Sequence, residues 1–138
     1  MNKATKTTSI EANADVQSCA EPVASVKKSP SEDREQMLFV QYFRRTYPDV
    51  RIFAIPNGGA RHPAVAATMK ATGVSAGVPD LFIPAWRVWI EMKRVKGGTV
   101  SAEQKSWLKY LEDCGYTTAV CHGFDEAKRF VNKFALFM

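Results

Sequence analysis

The stretch VWIEMKRVKGG, Val88 to Gly98, decides how this chain is read. Its first half alternates like a strand, yet it sets Glu91 and Lys93 two residues apart among Trp89, Ile90, Met92 and Val95. Residues two apart on a strand project from the same face, so the two charges share one side of a sheet with apolar neighbours alternating against them. Charge in such a place is costly unless it is paired or put to use.

Just before it, PDLFIPAWR (Pro79 to Arg87) holds a second apolar run, and the short turn around Pro84 and Ala85 predicts a β-hairpin. Asp80 opens the first strand and Glu91 lies late in the second, so antiparallel pairing brings them to one end of the sheet. After it, Ser101 and Gln104 stand at capping-box spacing and predict a helix that stops at Gly115. The apolar stripe of that helix is Trp107, Leu108 and Leu111, and Gln104 lies on its extension. YTTAVC then reads as a strand, and DEAKRFVNKFALF as a closing helix with Ala127, Phe130, Val131 and Phe134 on one side. Strand, helix and strand in sequence imply a right-handed crossover to a parallel neighbour.

Toward the N-terminus, Ser29, Pro30 and Glu32 fit an N-cap, a first helical residue and a capping-box partner. The helix they open has the stripe Leu38, Phe39, Tyr42 and Phe43, and stepping back by three and four places Glu35 on it. VRIFAI predicts a short strand ending at Pro56, NGG a turn at Asn57 to Gly59, and HPAVAATMKATG a helix bounded by Pro63 and Gly73. The expected class is α/β: a mixed central sheet, made of a β-hairpin plus a crossover strand and flanked by helices, without internal repeats.

At 138 residues the chain has the size of one domain. All fifteen aromatic residues fall at or after Phe39, and the opening segment of Ala, Ser, Thr, Lys and Glu cannot bury enough apolar area to order itself. Residues 1–28 are therefore expected to be a flexible tail and 29–138 the folded domain. No apolar run resembles a secretion signal or a membrane span, so a cytoplasmic, non-secreted protein is expected. The odd number of cysteines, three, without short paired spacing indicates neither a disulfide framework nor a zinc site. The net charge of +5 divides as +1 for residues 1–30 and +4 for the rest, which is compatible with a nucleic-acid partner without requiring one.

Glu35, Asp80, Glu91, Lys93 and Gln104 thus stand where the pattern asks for apolar residues, and they converge if the helices pack on one face of the sheet. Gathered carboxylates repel one another by about 4 kcal/mol per pair at 4 Å with an effective dielectric near 20. A divalent cation relieves that repulsion, and carboxylates without His or Cys partners favour a hard ion, Mg²⁺ or Mn²⁺. Such an ion polarises a phosphodiester, and a neighbouring lysine can position or deprotonate the attacking water.

These residues resemble a known signature. GVPDLFI followed by IEMK is similar to the PD-(D/E)XK motif of restriction-endonuclease-like nucleases, with Pro79, Asp80, Glu91 and Lys93 at its defining positions. The ordered set of EQ (Glu35, Gln36), NGG, GVPDL, EMK and SAEQ resembles the VRR-NUC branch, over about residues 31 to 125. The resemblance implies a restriction-endonuclease-like fold and a metal-dependent DNA endonuclease. Asp80, Glu91 and Glu35 would surround Mg²⁺ or Mn²⁺, with the Met92 carbonyl as a further ligand, and Lys93 and Gln104 would complete the catalytic set. Stand-alone members of this kind occur in phages and bacteria, and some are similar to dimeric enzymes that cleave four-way junctions, so branched DNA and a homodimer are expected. Asn57, Gly58, Arg61, Arg94 and Lys96 are the expected DNA-backbone contacts.

Each position also has an ordinary alternative. Asp80 can start a strand, Glu91 and Lys93 can form a solvated edge stripe, Glu35 can be an exposed helix residue beside Arg34, and Gln104 can serve only to cap its helix. The NGGAR and KRVKGG segments can be solvated turns, His62 and His122 helix caps or surface residues, and Trp86 and Trp89 hairpin packing. The competing function is a non-catalytic nucleic-acid-binding module with the same fold.

Overall fold

The computed structural model describes residues 31–56 and 62–138. The expected tail and the Asn57, Gly58 and Arg61 contacts lie outside the described residues. Helix α1 (Glu32–Thr46) is followed by β1 (Phe53–Ala54), α2 (Pro63–Ala71), the hairpin β2 (Leu81–Ile83) and β3 (Val88–Lys93), α3 (Ala102–Asp113), β4 (Thr117–His122) and α4 (Phe124–Ala135). The four strands form one sheet in the order β1-β2-β3-β4. β1, β2 and β3 pair antiparallel, while β3 and β4 pair parallel, as a crossover through α3 requires. The mixed α/β architecture expected from the sequence is therefore present.

Alternation along β3 divides the molecule. Val88, Ile90 and Met92 are fully buried, and they pack with Leu81 and Ile83 of β2 and Cys121 of β4. Phe39 and Phe43 of α1 and Ala127 and Val131 of α4 close over this face. The other face carries Phe82 stacked on Trp89 at 4.2 Å between ring centroids, with Tyr116 edge-on at 5.8 Å from Phe82. Trp86 turns the opposite way, onto Phe43, Tyr47 and Phe134. Both tryptophans thus serve packing, one on each side of the sheet.

Several boundaries differ from those read in the sequence. The first helix is capped by Ser31, whose Oγ accepts from Arg34 N at 3.2 Å, and not by Ser29. Glu32 therefore stands in the first helical position, free of the capping box expected for it. The first strand shrinks to two exposed residues, because β1 has a partner on one side only and Pro56 follows closely. The hairpin turn is a 3₁₀ turn over Pro84–Trp86 closed by Arg87 in the left-handed region (φ 55°). Leu38 is exposed, so the α1 stripe centres on Phe39 and Phe43. His62 caps α2, its Nδ1 accepting from Ala64 N at 3.2 Å. Among the described residues no helix is long and apolar enough to cross a membrane.

Candidate active site

The hairpin register sets the centre. Leu81 pairs with Ile90, so Asp80 stands across from Glu91 one step further along. Asp80 Oδ2 accepts from Met92 N at 2.7 Å, which fixes the carboxylate against the end of β3. Glu91 is 1% exposed and Lys93 6% exposed, so neither is a solvated edge residue. Their side chains meet, with Lys93 Nζ 3.0 Å from Glu91 Oε1.

Gln104 reaches the same carboxylate from α3. Its Nε2 donates to Glu91 Oε1 at 2.7 Å while its Oε1 accepts from Ser101 N at 2.9 Å. One end of the amide caps the helix and the other contacts Glu91, so the cap does not keep Gln104 away from the carboxylates. The loop before the hairpin lies directly on this turn of α3. A Cβ on Gly77 (φ 88°) would fall 2.7 Å from the Glu103 carbonyl carbon and 2.9 Å from Gln104 N, so only glycine fits there.

Lys93 and Gln104 both attach to Oε1 of Glu91, and Oε2 is buried without a hydrogen bond. A buried carboxylate oxygen left so is expensive. One oxygen each from Glu32, Asp80 and Glu91 lie within 4.8 Å of one another. Burial, then the Asp80 charge, pushes the Glu91 carboxyl up to about 7 against the opposing pull of Lys93. Asp80 is likewise raised, first by burial and then by Glu32, although the Met92 N–H and Lys93 hold it down. A knot of mutually repelling carboxylates, one of which keeps a buried oxygen without a hydrogen bond, fits a hard divalent cation, and the all-oxygen donor set suits Mg²⁺ or Mn²⁺.

Glu35 does not join this knot. It is buried, but its Oε2 accepts from Phe124 N at 2.7 Å, the first N–H of α4. α4 has Gly123 as its N-cap residue and hence no capping side chain of its own. Glu35 supplies the missing acceptor, and its charge suits the helix N-terminus. Glu32, one turn earlier on the same face of α1, is the acid that meets Asp80 and Glu91. Sequence reading passed over Glu32 because it was assigned to a capping box; its i−3 spacing from Glu35 was the available signal.

The five polar positions do not gather on one helix-covered face. α1 and α4 cover the core face, whereas Gln104 approaches Glu91 on the other, and the groups meet at the end of the sheet. Beside them opens a cleft of about 390 Å³, with Ser31, Glu32 and Asp33 on one wall and Lys93, Arg94, Gly97, Gly98 and Thr99 on the other. Arg94 and Lys96 are exposed on this loop, and the Arg94 guanidinium donates to Gly97 O at 3.3 Å.

The VRR-NUC domain profile matches residues 20–125. A solved structure named as a VRR_NUC domain protein is similar to this chain at 26% identity and a TM-score of 0.61, covering 75% of this chain and 86% of that one. No curated protein matches the chain.

Proposed function

The chain belongs to the VRR-NUC family, a nuclease-type domain, and from that premise we propose that it is an Mg²⁺- or Mn²⁺-dependent endonuclease hydrolysing phosphodiester bonds in DNA. The observation that carries the reading is the cluster of Glu32, Asp80 and Glu91, one oxygen of each within 4.8 Å of the others, in which Glu91 keeps a buried oxygen, Oε2, without a hydrogen bond. These three carboxylates would hold the ion. Met92, whose side chain is in the core and whose N–H is taken by Asp80, would contribute only its carbonyl. When bound, the ion supplies Lewis acidity to the phosphodiester and to the attacking water.

The chain's own groups do the remainder. Gln104 holds the Glu91 carboxylate in one orientation, so that Oε2 is the oxygen left for the ion. Lys93, fixed at 3.0 Å from Glu91, is placed to orient the water, accept its proton, or offset the charge that develops on the phosphorus oxygens. Arg94 and Lys96 bind backbone phosphates along the cleft rim. One such site is present among the described residues, and a single site nicks one strand, so cleavage of a four-way junction requires a two-fold homodimer presenting two sites.

The test is cleavage of end-labelled linear duplex, fork and four-way junction with Mg²⁺, Mn²⁺ or EDTA, using wild type beside Asp80→Ala. Cleavage that needs metal and disappears in Asp80→Ala is the expected result. Equal DNA binding by both proteins with no cleavage under either metal would transfer the assignment to a non-catalytic binding module.

A further inference from the structure

Across the β4 to α4 junction, three consecutive residues bond three different segments, the loop after β3, the end of β3 and helix α1. His122 Nδ1 lies 3.3 Å from the Arg94 carbonyl, Gly123 N donates to Lys93 O at 2.8 Å, and Phe124 N donates to Glu35 Oε2 at 2.7 Å. A carbonyl oxygen only accepts, so the His122 contact requires the proton on Nδ1. His122 N is itself fixed, donating to Glu126 Oε2 at 2.6 Å.

The same junction supports the loop sterically. A Cβ on Gly123 (φ 89°) would come within 2.5 Å of Val95 Cγ2, so Val95 packs down onto a residue that must be glycine. Further round, a Cβ on Gly98 would meet Lys93 Cβ at 3.0 Å. The segment from Arg94 to Thr99 belongs to neither helix nor strand, and its Arg94, Gly97, Gly98 and Thr99 line the cleft beside Lys93. Among the described residues His122 bonds its first carbonyl and Gly123 lies under Val95, with the Arg94 to Gly97 bond closing the segment on itself.

We infer that His122 is a positioning residue for DNA binding, fixing the Arg94 to Thr99 wall at the distance from Glu32 and Asp33 that admits the substrate backbone. The inference rests on the endonuclease reading and adds a residue that the chemistry does not use. A wall ordered in advance loses little conformational freedom when DNA binds; a wall released from His122 has to be ordered at that moment, which weakens affinity. Lys93 stays in place without His122, because the Gly123 N–H and the β3–β4 ladder hold its backbone.

The experiment is steady-state cleavage of a labelled four-way junction and a linear duplex in Mn²⁺ by the full chain as wild type, His122→Ala and His122→Asn, with Tm measured in parallel. Asn places a side-chain N–H donor near the position of Nδ1. His122→Ala is expected to raise KM about five-fold, the loss of one hydrogen bond, with kcat within about two-fold and Tm unchanged. His122→Asn is expected to restore KM. An unchanged KM in His122→Ala, a fall in kcat alone, or failure of Asn to rescue overturns the inference while leaving the endonuclease reading intact. A wild type that cuts neither substrate removes both.

Discussion

At the scale of single residues, Glu91 concentrates the tension in the site. Folding takes its carboxyl out of water beside Asp80, and its pKa moves from the ordinary carboxylate range up to about 7. Between the unfolded and folded values the folded chain holds a proton that the unfolded chain has lost, so raising the pH destabilises the fold. Without divalent metal, Tm is expected to fall as pH rises from about 5 to 8, by a stability change on the order of 2 kcal/mol. Glu91→Gln, which cannot ionise, should flatten that slope, as should saturating Mn²⁺ in the wild type. A metal-free wild type whose Tm is flat or rises over the same range would contradict the assigned burial. Much of this was readable in the sequence: the alternation of VWIEMK alone places Glu91 and Lys93 on one face, and the hairpin places Asp80 opposite them. That Glu32 stands beside Asp80 and Glu91 while Glu35 accepts from Phe124 N was not readable, because it depends on where the N-terminus of α4 comes to lie, 89 residues beyond Glu35.

At the scale of elements, the site is built from helix ends pressed against the end of a sheet. α1 and α4 are joined where Glu35 accepts from Phe124 N, across the short seam that also includes Tyr42 edge-on to Phe124 at 5.8 Å. Glu35→Ala leaves that partly buried N–H without its acceptor and is expected to cost about 1–3 kcal/mol of stability, read as a lowered denaturation midpoint. Glu35→Gln keeps an acceptor oxygen and should recover most of the loss; equal damage from both variants would mean that the charge, not the hydrogen bond, is what α4 requires. α3 is seated by Gly77 in the same way. Gly77→Ala combines a strained left-handed backbone with a collision against Glu103 and Gln104, so it should move Gln104 off Glu91. Its kcat, measured well below its Tm, is expected to drop even where the variant is fully folded, and a wild-type kcat would show that Gln104 does not depend on this contact. Capping signals located α3 accurately because Ser101 and Gln104 are local to it, whereas the cap of α1 moved from Ser29 to Ser31, since Ser, Pro and Glu at this spacing fit more than one frame. The strand read from VRIFAI shortened because alternation cannot say that a strand will be an edge.

At the scale of the molecule, the sheet order and the crossover through α3 bring together groups from Glu32 to Gln104 that no local pattern joins. Hydrophobic periodicity was enough to give the class and the sheet, because every strand but the first has a buried face. What it could not give is that α1 and α4 cover one face while α3 serves the other, which is why the acids meet at the end of the sheet and not beneath a single layer of helices. The central claim is that Glu32, Asp80 and Glu91 hold a divalent cation while Glu35 holds a helix. Calorimetric titration of Mn²⁺ into the wild type, Glu32→Gln and Glu35→Gln at neutral pH tests it without recourse to activity. The account predicts binding by the wild type, affinity weakened about ten-fold or more in Glu32→Gln as one charged ligand is lost, and near wild-type affinity in Glu35→Gln. No Mn²⁺ bound by the wild type, or affinity lost in Glu35→Gln and kept in Glu32→Gln, would contradict it.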